Sequence, residues 1–451
     1  MKALKLPTAS STGTWQQPPM VQTPSEAKDL QELLTPCSKF PEPIRPVGSN
    51  SSATACVAAT GGTLVDMSHF DEIVDITDDT VTVQAGMRLN TLRNALAEHS
   101  LELVGAHQTA NRTVGGAVSS VCMGPSMPGE GAMLSSHVVR FKVITPQGKI
   151  LEVSDSRPQL MSAYRLSYGT LGVVTEVTMK VRPIQPFSVN YRRCTFEQMA
   201  VAIPKLVNAP VGLKFNAWPF RDHIYVEVRR YDSSRKGGRR TAWKLKDWGE
   251  SVVLPKIADS VGKMFSNGRI RYGLIDGLTE ATQKLMNNPL VRTGSQPVLH
   301  TGEHGDMHDP GVSRYTTWLF PASSFAKTLR HYQSFCKRHY KMTGFRCDLP
   351  TVGFRVNRDR SSLLSPSFNE PMFALRPSVS SADHDWEDFV MEFGEFASKH
   401  HGVPIFNQTK SASSKHVEKA FDTRLEFFRK IRRQLDPEDR LMNPFFMQYL
   451  Q

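Results

Sequence analysis

The feature of this sequence that most constrains its fold is a series of six short strand-like segments within the first 183 residues. Apolar and polar residues alternate in several of them, as at Val81 and Val83 or at Val177 and Met179, which is typical of strands with one buried face. The segments are 43–49, 62–67, 80–86, 138–145, 150–154 and 173–181. Because only residues 91–100 between them have a clear helical pattern, the sequence predicts an α+β fold rather than a regular alternation of strands and helices.

The length of 451 residues predicts two or three domains. Changes in composition and in secondary-structure pattern along the chain suggest where these domains divide. Residues 1–24 are rich in Ser, Thr, Pro and Gln and predict an irregular lead-in. A first domain is expected over 25–183 and a second α+β domain, with longer helices among its strands, over 184–415. Residues 416–451 predict an amphipathic helix that stops at Asp436-Pro437, then an apolar tail that returns to the first domain.

The composition excludes disordered and membrane-spanning classes, with a mean hydropathy of −0.34 and 39% hydrophobic residues. The formal net charge of +12 predicts an affinity for anions without naming a partner. Six cysteines form no C-x-x-C pair, so neither a disulfide framework nor a cysteine zinc site is indicated. With no apolar run typical of a signal peptide or a membrane span, we expect a cytoplasmic protein, with peripheral membrane contact as a further option.

Two segments of glycine and small polar residues are candidates for ligand binding. In Val47–Ser52, directly after a strand, successive backbone N–H groups can turn inward around an anion such as a pyrophosphate. In Thr113–Ser120, paired glycines in a loop would let the backbone approach a flat ligand closely. Taken alone, each segment would more often be a turn without a ligand. Neither matches the dinucleotide fingerprint or the P-loop.

The order of six fragments adds a stronger signal. PIRPVGSNSS, GGTLVDMSHFDEIVDI, TVTVQAGMRLNTLRNALAEHSLEL, TVGGAVSS, SSHVVRFKVITPQGKILEVS and YGTLGVVTEVTMKVRP together resemble the FAD-binding domain of the vanillyl-alcohol oxidase and p-cresol methylhydroxylase (PCMH) type, over residues 20–183. The resemblance implies two small α+β subdomains with FAD between them, followed by an α+β cap domain for the substrate. It implies a cofactor site made of Val47, Gly48, Ser49, Asn50, Ser51, Ser52, Thr113, Gly115, Gly116, Ser119, Ser120, Met123, His137, Gly172 and Val174.

Beyond residue 183 the chain resembles the aldonolactone and alditol oxidase branch, in RYTTWLFPASSFAKTLRHY, VNRDRSSLLSPSF, HGVPIFNQTK and LDPEDRLMNPFF. That branch implies oxidation of a CH–OH group of a sugar-, polyol- or lactone-like small molecule by hydride transfer to FAD, with oxygen or another acceptor taking the electrons. The polar residues it places nearest the reaction are Lys410, Gln408, Asn407 and Arg355. Lys410 could instead be a solvated surface residue, and Arg355 could form a structural salt bridge with Asp359.

The sequence departs from the branch at three places. Ser51 stands where many members have the histidine that attaches FAD covalently, so we predict noncovalent FAD. Met123-Gly124 replaces a His-Gly pair, and Ile405–Gln408 replaces a His-Trp-Gly-Lys run. These losses favour one rival, a flavin-binding scaffold without turnover. A basic run at residues 229–246 favours another, a membrane-associated dehydrogenase of a lipid-linked sugar.

Two further motifs are less specific. Residues 229–246 contain eight basic residues, which suit an anionic membrane surface or an acidic partner but equally a solvated loop. No nucleic-acid-binding module accompanies them, so nucleic acid is not expected. Three histidines spaced by four lie within residues 300–308, yet neighbouring glycines and a proline favour a loop at the mouth of the pocket over a metal site.

Overall fold

The computed structural model describes residues 20–36, 39–105, 112–232, 254–264, 268–286, 295–296, 314–380 and 384–451. Most of the predicted lead-in, the basic run from residue 233 onward and the histidine segment lie outside the described residues. The predictions for the residues outside these ranges stay predictions. Two predictions are wrong where the chain is described, because Met20–Gln22 in the lead-in forms a strand paired with Thr63–Val65, and Arg229 of the basic run is buried in a strand beside Glu227 rather than solvated in a loop.

The chain up to Pro183 forms two small sheets. Its elements are β1 (Met20–Gln22), α1 (Ala27–Leu34), β2 (Ile44–Val47), β3 (Thr63–Asp66), β4 (Ile73–Ile76), β5 (Thr80–Gln84), α2 (Leu89–Glu98), β6 (Leu101–Leu103), α3 (Val114–Ser119), β7 (Val138–Ile144), β8 (Ile150–Ser154), α4 (Pro158–Tyr164) and β9 (Val173–Pro183). The first sheet is parallel, in the order β1-β3-β2. The second is antiparallel, in the order β4-β5-β9-β7-β8, with β6 paired to β9. The alternation seen in the sequence is explained by β9, in which Val177, Met179 and Val181 are buried in the core and Lys180 is exposed.

The rest of the described chain is built around one large antiparallel sheet. Its elements are β10 (Phe187–Cys194), α5 (Phe196–Val207), β11 (Gly212–Trp218), β12 (His223–Tyr231), α6 (Leu254–Met264), α7 (Gly268–Met286), β13 (Ser295–Gln296), β14 (Arg314–Tyr315), β15 (Trp318–Pro321), α8 (Phe325–Thr343), β16 (Thr351–Val356), β17 (Met372–Arg376), β18 (Ser378–Val379), α9 (His384–Lys399), β19 (Val403–Pro404), α10 (Ser414–Phe421), α11 (Thr423–Leu435) and α12 (Pro444–Leu450). The order of the large sheet is β13-β10-β12-β11-β16-β17-β15-β19, and β14 pairs with β18 separately.

The large sheet is buried on both faces. On one face Phe215 and Phe373 pack with Phe325 of α8 in a core that also contains residues of α5 and α9, and the rings of Phe325 and Phe373 stack at 4.3 Å. On the other face, Phe354 and Ala374 belong to the same core as the strands of the first domain. The sheet therefore lies between a layer of helices and the first domain.

The C-terminal helices pack on the first domain, since residues of all three share its core. The helix predicted from residue 416 is interrupted at Asp422, which has a left-handed φ of 46°, and α11 ends at Leu435 beside the predicted stop at Asp436-Pro437. After this stop, Asn443 donates through Nδ2 to the backbone carbonyls of Ala55 and Ala58, at 3.1 and 2.8 Å. The C-terminal segment is thus tied to the loop that follows β2.

The α+β class predicted from the sequence is confirmed by this architecture. No helix in the described ranges is long and apolar enough to cross a bilayer.

Candidate cofactor site

A cleft of about 740 Å³ lies between the two small sheets of the first domain. Pro46, Val47 and Met67 line it from the three-stranded sheet, and Ala85 and Val174 line it from the antiparallel sheet. Thirteen of the fifteen predicted cofactor-site residues lie on its walls: Val47, Gly48, Ser49, Asn50, Ser51, Ser52, Thr113, Gly115, Gly116, Ser119, Ser120, Gly172 and Val174. The structure thus brings both glycine-bearing segments to one cavity.

The segment after β2 presents its backbone to the cleft. Asn50 has a left-handed φ of 51°, the conformation that lets neighbouring N–H groups converge. In the described part of the chain, the N–H groups of residues 48–52 donate to no protein acceptor. Backbone N–H groups that converge on a cleft without protein acceptors form an anion-binding nest, so this set of free donors fits an anionic ligand.

The segment 113–120 was predicted as a loop and is instead the short helix α3. Thr113 caps it, its Oγ1 accepting a hydrogen bond from the N–H of Gly116 at 3.3 Å. The N–H of Gly115 donates to the carbonyl of Ala85 at 2.7 Å, which holds the helix against the end of β5. A Cβ at Gly115 would lie 2.8 Å from the Cβ of Ala85, so the missing side chain allows this approach.

A third wall is the turn before β9, of which the sequence singled out only Gly172. Tyr168 lines the cleft with a left-handed φ of 54°, next to Gly169. The fully buried Arg45 on β2 fixes this turn, since it donates to the carbonyls of Tyr168 and Gly169 at 2.6 and 3.1 Å. It also donates to the carbonyl of Leu441 at 2.6 Å, which joins the wall to the C-terminal segment. The YGTLG fragment was the only signal in the sequence for this wall.

Arg112 is a second residue that sequence reasoning missed. It lines the cleft and is 7% exposed. Its Nη1 donates to the carbonyl of Val121 at 3.0 Å and its Nη2 to the hydroxyl of Ser120 at 2.5 Å. No glycine pattern marks this position, so the only signal was its adjacency to Thr113.

Two of the four predicted catalytic residues lie next to the cleft without lining it. Asn407 and Gln408 donate through their side-chain amides to the carbonyl of Val121, at 3.2 and 3.4 Å. The Oε1 of Gln408 in turn accepts a hydrogen bond from Nη2 of Arg376 on β17, at 3.2 Å. The carbonyl of Val121 therefore accepts hydrogen bonds both from Arg112, which lines the cleft, and from Asn407 and Gln408, which follow the last strand of the large sheet.

Lys410 and Arg355 are placed differently. Lys410 is mostly buried, its Nζ lies 3.9 Å from a carboxylate oxygen of Glu387, and burial lowers the pKa of its ammonium group. It is therefore not a solvated surface lysine. Arg355 donates to four backbone carbonyls at the end of α5 and just beyond it, those of Leu206, Val207, Ala209 and Val211. Its role in the structure is to cap that helix, and it forms no salt bridge with Asp359 among the described contacts.

Met123 and His137 lie outside the cleft lining. Met123 is buried in the core, where it forms an isolated bridge with Met133. His137 is buried with its Nε2 unpaired among the described residues, and burial lowers the pKa of its imidazole. Both positions were assigned through the resemblance, and the geometry gives neither of them a wall position.

The donor set of the cleft fits FAD. Free amides at residues 48–52 suit a pyrophosphate, the small residues of α3 leave room for a flat ring, and Arg112 supplies positive charge for the dianionic cofactor. Residues 18–154 match the protein family described as FAD binding domain.

Curated relatives show the same likeness. The chain is 27% identical over 263 residues to L-gulono-1,4-lactone dehydrogenase of Mycobacterium tuberculosis, covering 55% of this chain and 60% of that protein. It is 26% identical over 286 residues to D-arabinono-1,4-lactone oxidase of Yarrowia lipolytica, covering 59% and 53%. L-galactono-1,4-lactone dehydrogenase of Brassica oleracea is 27% identical, with 53% of this chain and 42% of that protein covered. The chain thus spans about half the length of these relatives.

Among solved structures, cholesterol oxidase from Brevibacterium sterolicum superposes with a TM-score of 0.77 at 13% identity, covering 96% of this chain and 94% of that one. This likeness concerns the fold. It extends over both domains, whereas the family match covers the first. The resemblance inferred from the sequence is confirmed: the chain carries an FAD-binding domain of the PCMH type, its cofactor is FAD, and it is similar to the aldonolactone oxidases and dehydrogenases.

Proposed function

We propose that this chain is an FAD-dependent oxidoreductase that oxidises a CH–OH group of a lactone-like or sugar-like small molecule to a carbonyl. In that reaction the substrate carbon loses a hydride, the hydroxyl loses a proton, and bound FAD takes the two electrons. Oxygen or another acceptor then reoxidises the cofactor. The observation that carries the proposal is the cleft itself, in which unpaired backbone donors and small side chains meet the requirements of FAD.

The relatives support the choice of substrate. Three of them are named for the dehydrogenation or oxidation of 1,4-lactones, and another is named D-lactate dehydrogenase. Aldonolactones and lactate share a secondary hydroxyl, and both carry it next to a carbonyl group. We therefore propose a substrate with a secondary hydroxyl next to a carbonyl group. It should be small enough to reach the carbonyl of Val121, between the cleft and the large sheet.

Bound FAD would supply the hydride acceptor, and the protein's own residues would position the substrate and receive the hydroxyl proton. Asn407 joins two walls of the site, because its carbonyl accepts from the N–H of Ala53 at 3.0 Å while its side chain donates to Val121. Arg376 orients Gln408, because it donates a hydrogen bond to the amide oxygen of Gln408. The NH₂ group of Gln408 therefore faces the carbonyl of Val121. Both amides act as positioning residues in this proposal.

Lys410 is our candidate for the group that receives the hydroxyl proton at Nζ. A lysine can act as a base only if its pKa is lowered, and burial lowers it here while Glu387 opposes the shift. Lys410→Met should slow flavin reduction by substrate at least tenfold and flatten its rise with pH, while the affinity for FAD stays within about twofold. Lys142→Met is the matched control, since Lys142 pairs with Glu176 on the antiparallel sheet. Equal reduction rates in the two variants would remove Lys410 from the mechanism.

The activity is tested by mixing the purified flavoprotein anaerobically with 1,4-lactones, alditols and 2-hydroxy acids and following flavin absorbance near 450 nm. Bleaching by a lactone supports the proposal, and bleaching by alditols or hydroxy acids alone overturns the lactone assignment. Admitting oxygen to the reduced protein then shows whether oxygen is its electron acceptor. Peroxide release identifies an oxidase, whereas slow reoxidation that a dye or a quinone accelerates identifies a dehydrogenase.

A flavin-binding scaffold without turnover is the second candidate, and one observation favours it. Three positions at which the sequence departs from the pattern of the branch it resembles, Met123, Ile405 and Phe406, are all buried in the apolar core. The ring of Phe406 packs edge-on against Tyr168 at 5.3 Å, so this residue contributes packing at the cleft rather than a polar group. Absence of bleaching with every candidate, from a fully FAD-loaded protein, would favour the scaffold.

A further inference from the structure

Helix α7 has its apolar side facing outward. Three large apolar side chains, Ile270, Leu274 and Leu278, are 50, 42 and 41% exposed. Each lies one helical turn from the next, so they form one ridge. The exposed residues between positions 270 and 281 are all apolar or glycine: Ile270, Gly273, Leu274, Gly277, Leu278 and Ala281, here called the α7 face. A surface helix normally turns its charged and polar residues to solvent, so α7 is inverted.

The inner side of α7 is held by charged contacts, which fix the direction of the α7 face. Asp276 pairs with Arg346 at 2.8 Å, and Arg271 lies 3.1 Å from a carboxylate oxygen of Asp348. Both partners belong to the segment between α8 and β16, and the side chain of Asp348 is almost completely buried. Turning α7 to bury its apolar side would break these pairs and leave buried charges without partners.

The fold of the described chain gives no reason for the two glycines of the α7 face. A Cβ at Gly273 or at Gly277 would meet no described atom within 4 Å. Glycine disfavours a helix relative to alanine, so these two positions cost the helix stability without a gain inside the described chain. Small residues spaced by four on a helix allow a second helix to approach closely. The glycines are therefore explained by a helix from outside.

The α7 face matches a second copy of itself. Two α7 helices that cross in the antiparallel direction, centred on the middle of the face, place one large and one small residue at every level of the contact. The three levels, each formed twice by symmetry, are Ile270 with Ala281, Leu274 with Gly277 and Leu278 with Gly273. We propose that the α7 face is the interface of a homodimer of this chain.

A lipid surface fits this face less well. Helices that lie in a membrane interface carry Lys and Arg along the edges of their apolar side. The edges of the α7 face hold Arg271 on one side and Glu280 on the other, and Arg271 already pairs with Asp348. The two glycines also reduce the apolar area that a bilayer could bury, whereas a second helix uses them.

The small size of the face sets the strength of the contact. Six residues from each copy form the α7 face, whereas stable complexes use about 20–30 residues a side. We therefore expect a reversible dimer with a dissociation constant in the micromolar range or weaker.

The test measures this constant for the full-length, FAD-loaded protein by sedimentation velocity at increasing micromolar concentrations. Gly277→Leu puts two large residues at one level, so it should raise the dissociation constant at least tenfold, although it adds apolar surface. The exchange variant, Leu274→Gly with Gly277→Leu, has the composition of wild type and again pairs large with small. Its constant should return to within about threefold of wild type. Asn94→Leu is the matched control, since it adds the same side chain to an exposed position of α2 and should leave the constant unchanged.

A cysteine pair tests the direction of the helices without a bulky substitution. In the antiparallel dimer Ile270 lies level with Ala281 of the second copy, whereas the two copies of either residue are about 16 Å apart along the helix. With a thiol oxidant, a mixture of Ile270→Cys and Ala281→Cys proteins should form a mixed disulfide dimer, and neither protein alone should form its own. Equal cross-linking of the mixture and of the single variants would reject the antiparallel dimer.

Three other outcomes would overturn the proposal. A wild-type protein that stays monomeric at every concentration has no such dimer, and its binding to phosphatidylglycerol vesicles would assign the α7 face to lipid instead. Stronger association of Gly277→Leu would show unspecific apolar contact. An exchange variant as weak as Gly277→Leu would reject the pairing of large with small residues. No substrate enters these measurements, so their result is independent of the proposed function.

Discussion

Replacing Gly48 with alanine should destabilise the apoprotein and weaken FAD binding, because the new methyl group has no space. A Cβ at Gly48 would lie 2.1 Å from Oγ1, 2.8 Å from Cγ2 and 3.0 Å from Cβ of Thr113. Thr113 is 3% exposed, so it cannot rotate freely away. Overpacking of this kind costs about 1–3 kcal/mol. If Thr113 turns, α3 also loses its N-terminal cap, which is a further loss of about 1 kcal/mol.

We therefore expect the Gly48→Ala apoprotein to lose about 2–4 kcal/mol of unfolding free energy in urea. Its affinity for FAD, followed by quenching of flavin fluorescence, should fall at least tenfold, because the shift displaces the free amides of residues 48–52. The matched control is Gly116→Ala. A Cβ there meets a single neighbour, Oγ1 of Thr113 at 3.1 Å, and alanine is the better helix former in α3. This control should change apoprotein stability by less than about 0.5 kcal/mol.

A double variant isolates the clash. Thr113→Gly removes all three contacting atoms while glycine remains an acceptable N-cap. If the contact is the cause, Gly48→Ala and Thr113→Gly together should be more stable than the sum of their separate effects by at least about 1 kcal/mol. Strict additivity, or a Gly48→Ala protein as stable as wild type, would refute the reasoning.

Three further predictions concern the cofactor and the histidine. The purified protein should be yellow, and acid precipitation should release its flavin into the supernatant; colour retained in the pellet would contradict the noncovalent attachment predicted from Ser51. Gly116→Phe should abolish FAD uptake while apoprotein stability stays near wild type, since the side chain enters the cleft, and a fully loaded variant would remove α3 from the site. His137 should make the apoprotein less stable in acid. Burial lowers the pKa of its imidazole, although the negative charges of Glu130 and Asp359 oppose this shift. The unfolded chain therefore takes up a proton at a higher pH than the folded protein does. Folding stability is lost as the pH falls below about 6.5. Urea titrations at pH 8 and 5.5 should show a smaller loss for His137→Gln, and equal losses would contradict this sign.

Local patterns predicted most of the cleft wall and six of the nine strands described up to Pro183, but they missed β1, β4 and β6. The alternation at Val177 and Met179 predicted β9, because burial of one face has the same period as the strand. The segment 48–52 was found because glycine and small polar residues are themselves the cause of its geometry. By contrast, α3 was predicted as a loop because its two glycines disfavour a helix, and the contacts that stabilise it, from Thr113 and Ala85, outweigh that preference.

The missed residues depend on contacts between distant parts of the chain. Arg45 acts on the turn at Gly169 across 124 residues, and nothing near it in the sequence indicates those carbonyls as acceptors. Arg355 was assigned to the reaction through the resemblance to the oxidase branch, yet its partners are the carbonyls at the end of α5. In both cases the hydrogen bonds of the guanidinium go to backbone carbonyls, which no residue pattern reveals.

The hydrogen bonds between the C-terminal segment and the residues around the cleft also determine when the site can be stabilised during synthesis. Every residue that lines the cleft precedes residue 175, but Arg45 needs the carbonyl of Leu441, 396 residues later, and the loop at Ala55 and Ala58 needs the side chain of Asn443. At about 5–20 residues per second, ribosomes take roughly 13–54 s to go from Val174, the last residue of the cleft wall, to Asn443. The nascent chain therefore has a complete set of cofactor contacts long before it can hold them in place. FAD should be retained only by chains translated past Asn443, so a chain stopped before Asp436 would lose its cofactor with its binding residues intact.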